Sequence, residues 1–219
     1  MDAQSAEALV IVAKYPEVGQ VKTRLAKHFG DEPACRLYRA FIRDLEATFG
    51  NNPRPLYWAY TPPSSHFASV VRAGSRCFPQ EGARLSERLL NIFRRLLAAG
   101  YQRVVVMGSD APQMRREWVE EAFTALTHVD TVLAPAEDGG YNLIGMKEAH
   151  DVFSYVPMST AHVLADTLER IRKLGLSVHL LPTSFDVDEI EDVEKLRQLI
   201  KQDSGHLIHT REVLRQLEE

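Results

Sequence analysis

The sequence predicts an α/β fold, a three-layer α/β/α sandwich around a mostly parallel sheet. Short apolar runs rich in valine and isoleucine alternate along the chain with longer stretches of helical period. Strands buried on both faces read as such runs, and parallel strands need crossover helices between them. The clearest run, Val104-Val105-Val106-Met107, breaks off at Gly108-Ser109-Asp110 and is stopped by Pro112. It therefore delivers one carboxylate to the carboxyl end of a central strand, the edge at which open α/β sheets bind ligands.

The elements follow in order. Residues 8–13 (ALVIVA) are the first buried strand. Residues 33–49 form a helix, with Asp31 as N-cap, Leu37, Phe41, Leu45 and Phe49 every four residues, and Gly50 in the C′ position. A strand over 56–60 is bracketed by Pro53, Pro55, Pro62 and Pro63. Residues 84–99 make the clearest amphipathic helix. Leu85, Leu89, Phe93 and Leu96 lie on one face and Arg84, Arg88 and Arg95 on the other, and Gly100 ends it. The central strand over 103–107 comes next, then a helix over 115–126 and strands over 131–134 and 141–146. A helix over 160–174, a strand over 176–181, and helices over 189–200 and 210–217 complete the chain. Without repeats, low-complexity stretches or a linker, residues 1–219 are expected to form a single domain.

Composition narrows the function classes. Apolar residues at 45% and charged residues at 26% describe an ordinary globular protein with a sizeable core. A net charge of −4 argues against a nucleic-acid partner. No apolar stretch approaches the roughly 20 residues that span a membrane. The acidic, polar start from Met1 to Glu7 is not a secretory leader, so a cytoplasmic location is expected. Cys35 and Cys77 lack a CxxC partner, and the eight histidines form no HxH or HExxH pair, so zinc chemistry is not expected.

Four segments carry candidate chemistry. The loop after the first strand presents Lys14, Lys22, Arg24 and Lys27 around Pro16 and Gly19. A basic strand-to-helix turn suits phosphate, although neither GxxxxGK[ST] nor GxGxxG is present. In the Asp138-Gly139-Gly140-Tyr141 segment, the glycine pair permits close approach to a ligand, and Asp138 and Tyr141 are candidates to contact or activate an acceptor. The alternative is a tight hairpin, for which Asp-Gly is a strong signal. In the segment 186–192, Asp188 is a candidate N-cap with Glu191 closing a capping box. That leaves Asp186 free to face the sheet edge, where a second carboxylate would complete a metal site with Asp110. Residues 80–88 are an ordinary helix start or a contact to a nucleotide base.

The segments AKYPEVGQVKTRLA, QEGARLSERL, VVVMGSDAPQM, APAEDGGYNLIGM and FDVDEIEDVEKL occur in this order between residues 8 and 200. The set resembles the bacterial glycosyltransferase-like proteins known as rSAM/selenodomain-associated transferases. These belong to the nucleotide-diphospho-sugar transferase (GT-A) superfamily, whose relatives include the molybdenum-cofactor and phospholactate guanylyltransferases. The resemblance implies a GT-A fold and a Mg²⁺ or Mn²⁺ cofactor held by Asp110 and Asp188, with Asp186 the fallback for the second position. It implies phosphate contacts from Lys22, Thr23 and Arg24, and nucleotide-side roles for Glu87 and Arg88. The chain departs from the nucleotidyltransferase signature GGxSxRMGxxK. It carries Ala111 where cysteine is common, Met158 where tryptophan is usual, and Arg84 and Ser86 within an Asp-Leu-Gly-Glu-Arg run. The expected activity is transfer of a sugar from a nucleoside diphosphate sugar to a small-molecule acceptor. Two alternatives are a nucleotidyltransferase that joins an NTP to a phosphorylated small molecule, and a non-catalytic nucleotide-binding protein.

Overall fold

Apolar runs too short for helices pair into one sheet in the computed structural model, which describes residues 6–158, 160–202, 205 and 207–217. The acidic start from Met1 to Ser5 lies outside the described residues. The strands are β1 (Glu7–Lys14), β2 (Leu56–Thr61), β3 (Arg76–Pro79), β4 (Arg103–Gly108), β5 (Thr131–Pro135), β6 (Tyr141–Met146) and β7 (Val178–Leu180). Their spatial order is β3-β2-β1-β4-β6-β5-β7. Every neighbouring pair is parallel except β4–β6 and β5–β6, because β6 returns from β5 through a hairpin and inserts beside β4. The order reverses between β1 and β4, and the crevice at such a reversal is where α/β sheets bind ligands.

Strand alternation divides the core into two layers. Leu9, Ile11, Val105 and Met107 face one side of the sheet, and Ala8, Val10, Val104 and Val106 the other. The first layer packs against α1 (Thr23–Phe29), α2 (Asp31–Phe49), α4 (Arg116–Ala125), α6 (Ile190–Gln202) and α7 (Ile208–Gln216). The second packs against α3 (Leu85–Ala98) and α5 (Val163–Lys173). The three-layer architecture thus follows from β-branched runs that are apolar on both faces. Among the described residues no helix is long and apolar enough to cross a membrane.

Several local expectations are corrected. Asp31 lies inside α2, whose N-cap is Gly30 at φ +88°, because α1 ends immediately before it and the chain must turn there. Gly50 is right-handed (φ −72°) and donates its N–H to the Glu46 carbonyl, so it extends the last turn instead of reversing it. Helix α5 begins at Val163, not at residue 160. The Asp188–Glu191 capping box does not form. The Asp192 carboxylate instead accepts the N–H groups of Asp188 (3.2 Å) and Glu189 (3.0 Å). The four-residue edge strand β3 and the seven-residue helix α1 are too short to show a period.

Candidate active site

The segments after β1, β4 and β7 and the first residues of β6 meet at the carboxyl edge of the sheet. Lys22 is left-handed (φ 49°, ψ 42°) as it leads into α1, a conformation that costs a non-glycine residue about 1–2 kcal/mol. Its side chain is only 3% exposed, and its ammonium pairs with both Asp110 and Asp188, at 2.9 Å from the Asp188 Oδ1. The same ammonium lies 5.7 Å from the Tyr38 ring centroid and 5.6 Å from that of Phe41. Burial alone would lower its pKa, but the two carboxylates outweigh burial and hold it above the ordinary lysine value.

Polar bonds fix the surrounding backbone. The Tyr38 phenol accepts the Lys14 N–H (3.0 Å) and shares a hydrogen bond with the Ser109 hydroxyl (2.7 Å), tying the end of β1 to the end of β4. Burial, followed by the nearby Asp110 charge, pushes the Tyr38 pKa up. The Val187 N–H donates to the Asp110 carbonyl at 2.9 Å, which sets the flanking Asp186 and Asp188 beside Asp110. The Asn142 amide donates to Asp186 Oδ1 at 3.4 Å. Burial, then the Asp110 carboxylate, pushes the Asp186 pKa up to about 7 against the opposing pull of Lys22.

A cavity of about 600 Å³ opens over this cluster, with Val12, Val106 and Leu89 among its apolar lining and Asp110, Asp186 and Asp188 among its polar lining. That volume is in the range of small-molecule sites. The Asp110 and Asp188 side chains are 45% and 48% exposed, so each carboxylate can reach a ligand while it holds Lys22. Three carboxylates face one ammonium, and the Asp186 pKa is raised by burial first and by the neighbouring carboxylates second. A hard divalent cation fits this all-oxygen donor set. Among the described residues no three such side chains converge closely enough to hold a metal alone. Substrate oxygens would have to complete the coordination shell.

The other sequence candidates are distributed as follows. Lys22, a phosphate candidate by sequence, is already committed to carboxylates. Arg24 lines the cavity and pairs with Glu189 at 3.2 Å. Lys14 donates to the Gln20 carbonyl at 2.5 Å and, with the exposed Thr23, is absent from the cavity lining. Glu87 caps α3 by accepting the Ala83 N–H (3.0 Å) and binding Arg84, whose guanidinium leads the causes that lower its pKa. Arg88 lines a neighbouring groove.

Asp138 and Gly140 line the cavity, yet Asp138 Oδ1 accepts the Gly140 N–H at 2.9 Å within the β5–β6 hairpin. Gly139 (φ +86°) approaches the chain itself, since a Cβ there would meet the Ala161 carbonyl oxygen at 2.0 Å. Tyr141 also lines the cavity, though its hydroxyl is buried and burial pushes its pKa up. Asn142 lies in the APAEDGGYNLIGM segment and is not among the candidates read from the sequence. A polar residue amid the apolar run of a strand was the signal that could have found it.

Comparison with known proteins supports the same architecture. The model of a family described as uncharacterized protein conserved in bacteria (DUF2064) matches residues 45–160. The 2-phospho-L-lactate guanylyltransferase of Methanothermobacter thermautotrophicus is 26% identical over 211 residues, covering 96% of this chain and 90% of that protein. The 3-phospho-D-glycerate guanylyltransferase of Phenylobacterium zucineum is 29% identical over 183 residues, covering 78% of this chain and 81% of that protein. A crystal structure from Desulfovibrio desulfuricans G20, provisionally assigned as a nucleotide-diphospho-sugar transferase, superposes with a TM-score of 0.90 at 33% identity. It covers 97% of this chain and 98% of its own.

Proposed function

The chain belongs to the DUF2064 family, and we propose that this transferase is a nucleotidyltransferase acting on a phosphorylated small molecule. An acceptor phosphate oxygen attacks the α-phosphorus of an NTP, the new P–O–P bond forms, and the bond to the β-phosphate breaks to release pyrophosphate. The observation that carries the reading is the Asp110–Asp186–Asp188 cluster at the sheet reversal, open to a cavity of ligand size. The guanylyltransferase relatives support this chemistry over the sugar transfer expected first from sequence.

Asp110 and Asp188, with Asp186 behind them, would hold Mg²⁺ or Mn²⁺. When bound, the cation supplies charge neutralisation to the phosphates. Lys22 keeps the two outer carboxylates together. Arg24, which lines the cavity, would add positive charge for the phosphates. A cytoplasmic location, where nucleoside triphosphates are available, is consistent with this reading.

Sugar transfer is the second reading, and the Desulfovibrio structure favours it. The link to rSAM/selenodomain-associated proteins rests with the sequence resemblance. The test incubates the protein with each NTP, Mg²⁺ or Mn²⁺, and a panel of phosphorylated three-carbon acids, and follows pyrophosphate. Release that requires both NTP and acid is the expected result. Turnover of a nucleotide sugar without pyrophosphate would overturn the proposal in favour of the second reading.

A further inference from the structure

A second groove adjoins the central cavity and has no part in the chemistry above. It lies between the first turn of α3 and residues 151–158, has a volume of about 890 Å³, and shares Leu85 and Met158 with the cavity. Its charged groups are mostly satisfied. Arg84 pairs with Glu87 at 2.8 Å. The Asp151 carboxylate accepts both the N–H (3.0 Å) and the hydroxyl (2.6 Å) of Ser154. The exposed first turn of α3 is already capped by Glu87.

Arg88 is the exception. Among the described residues its guanidinium has no ion pair and no hydrogen bond, and its Nε is buried without an acceptor. A buried donor left unpaired is unfavourable, and a guanidinium fork matches the two oxygens of a carboxylate or phosphate. Tyr155, 94% exposed, adds an aromatic surface to the same groove.

We propose that this groove binds the anionic end of the acceptor, with the Arg88 guanidinium as its partner, while the central cavity holds the nucleotide. The inference rests on the nucleotidyl-transfer reading and assigns Arg88 to a carboxylate or phosphate of the acceptor. The shared Leu85 and Met158 lining lets one molecule reach from the groove toward the carboxylate cluster.

Isothermal titration tests it with three probes: D-3-phosphoglycerate, glycerol 3-phosphate and D-glycerate. Each is titrated into wild type, Arg88→Gln and Arg88→Lys, with and without a non-hydrolysable GTP analogue. Phosphoglycerate is expected to bind wild type and to weaken about ten- to a hundredfold in Arg88→Gln, the range for loss of a charge-assisted bond. Arg88→Lys, which keeps the charge but not the fork, should fall between them. The analogue's affinity should stay within about twofold, since a contact confined to the acceptor contributes nothing to nucleotide binding.

The single-anion probe that loses affinity in Arg88→Gln identifies whether carboxylate or phosphate is held. Equal phosphoglycerate binding by wild type and both variants, no binding by wild type, or equal loss of the analogue would each overturn the proposal. If Arg88→Gln does not fold, as judged by its melting curve, the comparison of wild type with Arg88→Lys decides. If the analogue binds no protein while phosphoglycerate still depends on Arg88, the nucleotidyl-transfer reading fails and the groove stands.

Discussion

Replacing Lys22 with methionine should destabilise the protein in the absence of divalent cations. The ammonium is buried between Asp110 and Asp188, and its pKa sits above the ordinary 10.5 even though burial opposes it. The sign follows from linkage. A raised lysine pKa contributes stability that is fully present below 10.5 and lost only as pH rises through the folded value. Breaking a buried ion pair typically costs about 3–5 kcal/mol. Here both carboxylates are nearly half exposed and can recover hydration, which reduces the expected loss to about 1–3 kcal/mol. Methionine fills most of the vacated volume, so the cavity contribution is small. For a domain of this size each kcal/mol moves Tm by about 2–4 °C, giving a fall of about 2–12 °C. The assay is calorimetric melting at low salt in EDTA, repeated with Mn²⁺. The cation should recover more of the melting temperature in the variant than in wild type, because it takes over the charge that Lys22 supplied. A double-mutant cycle with Asp188→Asn should be less than additive. A variant that melts in EDTA at or above wild type would refute the reasoning.

Four further outcomes follow from the same geometry. Asp110→Asn should fold but lose Mn²⁺-dependent nucleotide binding, measured by titration with and without the metal; unchanged metal dependence would remove Asp110 from the site. Gly139→Ala places a Cβ against the Ala161 carbonyl at φ +86°, and should destabilise by about 2–5 kcal/mol from overpacking plus backbone strain, read as a Tm drop. Asp138→Asn, if Asp138 serves the reaction, should keep Tm and nucleotide affinity while losing pyrophosphate release; a lower Tm instead would leave it a hairpin residue. Asp130 accepts the N–H (2.9 Å) and hydroxyl (2.6 Å) of Ser177, and these bonds, joined by Lys147, hold its pKa far below the ordinary 3.8. Its stabilisation is therefore present above pH 3.8 and lost as pH falls. The Tm gap between wild type and Asp130→Asn should shrink on acidification, and a gap that widened would contradict the assignment.

The parts of the site that were legible in the sequence are those fixed by local rules. Asp110 could be placed because a valine run ends at a proline, and the end of a strand is a local event. The three-layer architecture could be placed because strands apolar on both faces need helices on both. The second carboxylate partner of Lys22, Asp188, could not be read. It lies 166 residues away along the chain, and it is reached only because the backbone before α1 turns left-handed at a residue that is not glycine. The Asp188–Glu191 box failed for a related reason. Asp192, not Glu191, accepts the Asp188 N–H, and the Asp188 carboxylate turns to the lysine instead of capping the helix.

Asn142 and Tyr141 show where pattern reading fails within a correctly placed strand. Along β5 and β6 the pairing steps from Ala134–Leu143 to Pro135–Tyr141, which leaves Asn142 as an extra residue on β6. A bulge of this kind breaks the period of two on which facing is inferred, and re-aims the side chains around it. Tyr141 consequently packs into the layer under α3 and α5, although Leu143, two residues on, belongs to the opposite layer. The Asn142 amide reaches Asp186. One inserted residue therefore turns a tyrosine that strict alternation would place on the other face toward the layer of α3 and α5, and makes a buried asparagine the support for the innermost carboxylate. Asn142→Val tests this step. If the bulge exists to support Asp186, the variant should fold with near-native Tm yet bind Mn²⁺ and nucleotide more weakly. Loss of Tm with metal affinity intact would make the bulge a packing device instead.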